Sequence, residues 1–315
     1  MTPLLSVENL MKLYAVREGK GMIRAVDGVS LTLAEGETLG IVGESGCGKS
    51  TLARLILRLI GPTSGSIKFD GEDLSSLSAS ALRRRRRDMQ IVFQDPYASL
   101  DPRMTIGRII AEPLAIHGIG PRRTRRDKAM TLLGLVGLDE GAADRYPHEF
   151  SGGQRQRIGI ARALALEPRL VVLDEPVSAL DVSIQSQILN LLMDLKERLK
   201  LSYIFISHDL GVVEHVSDRV AVMYLGRIVE EGDATRVFNS PLHPYTEALI
   251  SAIPFLDPAL SRKPAILTGD LPSPDNIPQG CRFHPRCPKI MDVCRNTPPA
   301  ITRRPGGMSV ECHLY

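Results

Sequence analysis

Tryptophan is absent and aromatic residues make up only 4% of the 315-residue chain, leaving little from which to build a stacking platform for single-stranded bases. No run approaches the roughly 18 apolar residues that a membrane-crossing helix needs. Even the apolar stretch 170–180 is interrupted by Asp174, Glu175 and Pro176. An excess of one charge is also missing. With 39 Lys and Arg against 36 Asp and Glu, the net charge is +3, too balanced to imply nucleic acid binding without a local patch. The opening MTPLLSVENL lacks a basic lead-in and places Glu8 where a signal peptide would be apolar, so the chain is expected to stay in the cytosol. No repeat with a solenoid period is visible.

What is present suits a globular core, with 43% apolar residues. Residues 4–45 read as short strands and turns, ending in a buried strand. A helix is predicted over 49–59, with apolar Leu52, Leu55, Ile56 and Leu59 on one face and Gly61-Pro62 as its stop. MQIVFQ (89–94) is a second buried strand. From 96 to 166 the pattern is mostly helical, broken at Pro113, Pro121 and Pro147. Strands resume at 170–175, 203–208 and 219–226, with a helix over 183–200. Strands alternating with helices predict an α/β fold with a mostly parallel core sheet covered on both faces. After about 241, Pro and Gly become dense and four of the five cysteines fall in the last 35 residues, which marks a separate appendage.

The residues Gly43, Glu44, Ser45, Gly46, Cys47, Gly48, Lys49, Ser50 and Thr51 match GxxxxGK[ST] between a buried strand and a helix. In that motif the glycines wrap backbone around phosphates, Lys49 neutralises the β and γ charges and Ser50 offers a hydroxyl to Mg²⁺. Asp174 ends an apolar strand, from which a carboxylate can hold Mg²⁺ through water. Glu175 follows where it can orient or deprotonate an attacking water. Gln94 ends another strand and can reach the metal's water, while His208 ends a third and can donate to a γ-phosphate. Ser151-Gly152-Gly153-Gln154 then offers a second anion cradle at a helix start. One chain with two cradles reads as half of an enzyme in which two chains sandwich ATP.

In this order the motifs resemble the ATP-binding cassette (ABC) ATPases across residues 4 to about 240. The resemblance implies a P-loop NTPase fold with an antiparallel β edge and a helical subdomain. It further implies an adenine-stacking aromatic at Tyr14, a phosphate loop at 43–51 and Gln94 as relay to a membrane subunit. The signature would be Ser151, Gly152, Gly153 and Gln154, followed by a Mg²⁺-binding Asp174, the base Glu175, a loop ending at Asp181 and the switch His208. Phe150 stands where the family often has Leu. The segments QIVFQDPYASLDPRMTI, HPYTEALISAIP and GCRFHPRCP are similar to ATPases of the oligopeptide and dipeptide importers. That implies a nucleotide-binding domain over 1–240, its helical subdomain at about 96–166, and a small irregular C-terminal Cys-rich extension over 241–315. It implies ATP and Mg²⁺ as cofactors and a second ABC ATPase subunit, paralogous or identical. Two transmembrane permease subunits and an extracytoplasmic substrate-binding protein complete the implied assembly. The place implied is the cytoplasmic face of the inner membrane, with peptides as cargo, or nickel or sugars as among relatives, and no nucleic acid partner. The alternative class is a non-transport ABC ATPase of DNA repair or translation, for which only the arginines 83–87 and the group Arg122, Arg123, Arg125 and Arg126 speak; a solvated helix face is the better explanation of both.

Cys281, Cys287, Cys294 and Cys312 are spaced C-x5-C-x6-C-x17-C. In a cytosolic chain disulfides are not expected, which leaves free thiols or a metal site; four thiolates suit a [4Fe-4S] cluster or Zn²⁺, and the absence of a CxxC pair weakens Zn²⁺. Resemblance to the importer group implies the iron–sulfur cluster, with Arg282, Arg286, Lys289 and Arg295 offsetting its charge. His284 and His313 are reserve ligands. The cluster is expected to fasten an otherwise coreless tail, and Cys47 to be a small residue that fits its loop.

Overall fold

The computed structural model describes residues 2–15, 21–252, 272–273 and 275–315. The end of HPYTEALISAIP and residues 255–271 of the expected extension lie outside the described residues. Strands run in chain order as β1 (Leu5–Ala15), β2 (Met22–Leu33), β3 (Thr38–Val42), β4 (Ser64–Phe69), β5 (Glu72–Asp73) and β6 (Met89–Val92). They continue as β7 (Leu170–Asp174), β8 (Ser202–Ile206), β9 (Arg219–Tyr224), β10 (Arg227–Asp233), β11 (Ile301–Arg304) and β12 (Met308–Glu311). The chain divides into two compact units, one of residues 1–75 with 206–315 and one of residues 76–205.

In the first unit β2-β1-β4-β5 form an antiparallel sheet. Burial along β2 alternates towards its end, as expected for a sheet with one wet face. A second sheet runs β11-β12-β10-β9-β3. Only β3 and β9 pair in parallel there; the other pairs are antiparallel. β3 is buried at every position, so its TLGIV sequence is continuously apolar rather than alternating. The helix predicted over 49–59 spans Lys49–Ile56, burying Leu52, Leu55 and Ile56.

The tail departs from expectation. It is neither wholly irregular nor coreless, because β12 joins β10 through the pairs Glu230↔Val310 and Glu231↔Ser309. Met308 and Val310 are buried, and Phe283 is 1% exposed. The Phe283 ring sits 5.3 Å from Tyr224 and 5.5 Å from Tyr245. Burying one such aromatic stabilises by about 1.5–3 kcal/mol, so apolar packing contributes to fastening this segment.

In the second unit the strands run β8-β7-β6, with β6 and β7 parallel. The helical region is present; Pro121 and Pro147 fall between its helices as expected, and only Pro113 does not act as a break. Pro121 is the N-cap of the helix Arg122–Leu135 and Pro147 opens a 3-10 turn, positions where a missing N–H costs nothing. Pro113 lies inside the helix Ile106–Ile116. That helix survives because Ile106, Ile109, Ile110 and Leu114 form one buried stripe. The arginine run 83–87 begins on the helix Ala79–Arg85, which buries none of its residues; Arg83 Nη2 donates to the Ile116 carbonyl at 2.6 Å.

Candidate functional site

In the first unit, the turn between β3 and the helix Lys49–Ile56 needs glycine for steric reasons. Gly43 has φ 151°, and a Cβ there would lie 2.2 Å from the Met223 carbonyl oxygen; Gly48 has φ 110° and a Cβ would lie 2.1 Å from the Ala25 carbonyl oxygen. A Cβ on Gly46 would meet nothing within 4 Å. Lys49 is the first residue of the helix and only 4% exposed. Its Nζ donates to the carbonyls of Gly43 at 2.7 Å and Glu44 at 3.0 Å. The helix has no side-chain cap and no acid in its first turn, so its first N–H groups and positive dipole end suit an anion. Ser50 and Thr51 follow in that turn, and Ser45 lies on the turn before it. Cys47 is buried, and burial pushes its thiol above the usual range although Lys49 opposes this; it behaves as a small apolar filler.

Also in this unit, His208 is exposed on the turn after β8. The turn is fixed on both sides, by Ser207 N–H donating to the Ile41 carbonyl at 3.3 Å and by Asp209 capping Val212 N–H at 3.2 Å. Tyr14 is 39% exposed. It lies on an interior strand of its sheet, β1, with the Lys12 ammonium 5.1 Å from its ring centroid.

In the second unit the structure brings Gln94 and Glu175 together: Gln94 Nε2 donates to Glu175 Oε2 at 2.8 Å. Glu175 directly follows β7 and its 5%-exposed end residue Asp174. Glu175 has φ 50°, a left-handed conformation uncommon for a non-glycine residue, though shared here with Asn9, Arg58, Asp70, Glu167, Lys200 and Leu225. The turn behind it is tied by Ser178 Oγ donating to the Glu175 carbonyl at 3.2 Å. Gln185 Nε2 adds bonds to the carbonyls of Val177 at 3.1 Å and Leu180 at 2.9 Å. Asp181 is the N-cap of the helix Val182–Leu199, with its side chain making no cap bond.

Ser151 and Gln154 form a capping box at the start of the helix Gly152–Leu164. Ser151 Oγ accepts from Gln154 N–H at 3.3 Å, and Gln154 Oε1 accepts from Ser151 N–H at 3.0 Å. The glycine pair serves packing as well as any ligand. A Cβ on Gly153 would lie 2.5 Å from Ile184 Cγ2, and one on Gly152 would lie 3.3 Å from Leu180 Cδ2. That spatial demand was invisible in sequence, because Ile184 is about thirty residues away along the chain.

The C-terminal residues hold most of what sequence reasoning missed. Arg286 donates both Nη atoms to the Glu44 carboxylate, at 2.7 and 3.0 Å. Arg282 pairs with Asp27, and Lys289 binds Glu247 at 2.7 Å. These three cations are therefore matched by carboxylates and are not reserved to offset a tetrathiolate charge. His284 Nδ1 lies 2.9 Å from the Cys281 carbonyl, and His313 Nε2 lies 2.8 Å from that of Thr297. Burial, with Cys294, Cys312 and Cys287 adding to it, pushes the Cys281 thiol up to about 11. Burial raises Cys287 and Cys312 too. Among the described residues no group of three or more His, Cys, Asp or Glu is arranged to hold a metal ion. As they stand, the four thiols share a neighbourhood but do not fit the expected [4Fe-4S] or Zn²⁺ ligand set.

A glycine turn that the backbone leaves no room to fill, a buried lysine on its carbonyls and an uncapped helix start define a P-loop nucleotide-binding protein. A family model described as "ABC transporter" matches residues 26–178, and one described as "Oligopeptide/dipeptide transporter, C-terminal region" matches 229–294. The chain is 56% identical to "Probable peptide ABC transporter ATP-binding protein y4tS" of Sinorhizobium fredii, over 99% of this chain and 90% of that protein. It is 51% identical to "Oligopeptide transport ATP-binding protein AppF" of Bacillus subtilis, over 99% of this chain and 97% of that protein. Among solved structures it is similar to the ATP-binding cassette MJ0796 in a dimeric post-hydrolysis state bound to ADP and Pi. There the TM-score is 0.66 and identity 32%, covering 73% of this chain and 98% of that one. The chain belongs to the ABC transporter ATPases, the ATP-hydrolysing subunits of such transporters. No helix among the described residues is long and apolar enough to cross a membrane.

Proposed function

We propose that this chain powers uptake of di- or oligopeptides, acting at the cytoplasmic face of the cell membrane. It would work with a second ATPase chain, paralogous or identical, two permease subunits and an extracytoplasmic binding protein. The observation carrying this reading is the match of residues 229–294 to a peptide-transporter C-terminal region behind an intact phosphate loop. Residues 1–240 form the nucleotide-binding domain in this reading and 241–315 its extension.

Lys49 and the N–H groups of 43–51 bind the phosphates, and Tyr14 stacks the adenine. Ser50 and Asp174 would hold Mg²⁺, with Gln94 touching its water; the ion, when bound, neutralises developing charge on the phosphates. Glu175 takes the proton of the attacking water and Gln94 holds that carboxylate in place. His208 donates to the γ-phosphate. Ser151, Gly152, Gly153 and Gln154 face a nucleotide held by the second ATPase, and the loop ending at Asp181 lies beside that boundary. A [4Fe-4S] cluster on Cys281, Cys287, Cys294 and Cys312 is not part of this reading, since among the described residues no ligand set is arranged for it; iron and acid-labile sulfide found in anaerobically purified protein would overturn that. Cargo is tested by uptake of labelled dipeptide, oligopeptide, nickel and sugar in cells with and without this chain. Loss of peptide uptake alone is expected, and intact peptide uptake would refute the assignment.

A further inference from the structure

Glu44, the first non-glycine residue of the phosphate loop, is gripped at three points. Its N–H donates to Tyr245 Oη at 2.9 Å, its carbonyl accepts from Lys49 Nζ at 3.0 Å, and its carboxylate takes Arg286 Nη1 at 2.7 Å and Nη2 at 3.0 Å. The first and third grips come from C-terminal residues far along the chain. Both grips are themselves held rigidly. Tyr245 is fully buried, on the helix Pro244–Ser251, with its ring 4.7 Å from Tyr224 and 5.5 Å from Phe283. Arg286, its side chain 7% exposed, closes the 3-10 turn His284–Arg286 directly after Phe283.

A glycine-rich loop is costly to order, and any ordering left until ligand arrives is subtracted from affinity. A bidentate guanidinium–carboxylate pair fixes orientation as well as position. The carbonyl it steadies is one on which Lys49 rests before a phosphate is present.

We propose that Tyr245 and Arg286 are positioning residues for nucleotide binding: the C-terminal segment fixes Glu44, pre-shapes the phosphate loop and so ties nucleotide affinity to its own docking. This rests on residues 43–51 being the nucleotide's phosphate cradle, which binding of the wild-type chain tests separately. By linkage, bound nucleotide holds the segment 281–287 in place by the same factor.

The test uses the full-length chain, titrated with N-methylanthraniloyl-ATP and Mg²⁺, together with KM and kcat for ATP. Tyr245→Phe, which keeps the ring and removes only the hydroxyl, is expected to weaken binding about fivefold, and Arg286→Met about tenfold or more. Arg286→Lys keeps the charge without the fork and falls between. KM rises while kcat at saturation is kept, the pattern of lost uniform binding. Glu44→Gln combined with Arg286→Met binds no more weakly than Arg286→Met alone, since both act through one carboxylate. If Arg286→Met does not fold, Tyr245→Phe and Arg286→Lys carry the test. Wild-type affinity in both of these, a fall in kcat at constant KM, or losses that multiply in the double variant would each overturn the proposal. A wild-type chain that fails to bind the analogue would instead refute the phosphate-cradle reading.

Discussion

Replacing Gly153 with Ala adds one methyl group where the structure has no room for it. The new Cβ would lie 2.5 Å from Ile184 Cγ2 and 3.8 Å from Ile184 Cβ, whereas carbon atoms settle at about 3.5–4.0 Å. Gly153 does not have a positive φ, so the backbone accepts alanine and only the contact matters. Ile184 is the third residue of the helix Val182–Leu199. A β-branched side chain on a helix has essentially one χ1 rotamer, so the methyl cannot swing aside and the two segments must move apart. Overpacking of this kind costs about 1–3 kcal/mol, and up to about 1 kcal/mol returns from alanine's better helix propensity. A net loss of about 1–2 kcal/mol is expected, read as a lower urea midpoint by far-UV circular dichroism. ATPase activity should fall with it, because the displaced turn carries the Ser151 cap. Ile184→Ala removes Cγ2, so in the double variant the loss should be smaller than the sum of the singles by about 1 kcal/mol. A Gly153→Ala chain within about 0.5 kcal/mol of wild type, with strictly additive pair effects, would refute the packing argument.

Glu175→Gln keeps an oxygen that can accept the Gln94 bond but removes the base. Hydrolysis should fall by about 10²–10⁴-fold with ATP binding retained and a closed dimer trapped on gel filtration; normal turnover would refute the role. His243 is buried, its Nδ1 accepting Tyr245 N–H at 3.0 Å, and burial pushes its pKa down to about 3. The unfolded chain therefore takes up this proton near pH 6.5 while the folded one does not. Stability is fully present above about 6.5 and falls by about 1.4 kcal/mol per pH unit from there towards 3. Urea midpoints at pH 7.5 and 5.5 should show this slope for wild type and a shallower one for His243→Asn, whose side chain can still cap the helix. Equal slopes would count against the histidine.

The parts legible in sequence are those whose chemistry is local. A phosphate loop is specified by glycines, Lys49 and Ser50 within one turn, and the continuous apolar runs of β3 and β7 announce buried strands because both faces must be covered. The helix start at Ser151-Gly152-Gly153 was legible as well, while the capping box that Ser151 forms with Gln154 was added by the structure. Pro113 was misread as a break because the buried stripe Ile106, Ile109, Ile110 and Leu114 holds its helix against the core despite the missing N–H, whereas Pro121 and Pro147 do stand between helices. The tail was misread because its cysteines drew attention from Phe283, Met308 and Val310, whose burial depends on strands and rings remote in the chain.

The sequence by itself thus determined that the chain belongs with ATP-hydrolysing proteins, since each motif is a short local stretch and the order of the motifs from Gly43 to His208 is diagnostic. Only the tertiary structure decided what Gly153, Glu44, Tyr245 and Arg286 do. Gly153 is required by a methyl on Ile184, and the grip on Glu44 joins residues 201 and 242 positions apart. Contacts of that range leave no periodicity or spacing to read, because folding and not the order of the chain brings their partners within hydrogen-bonding distance.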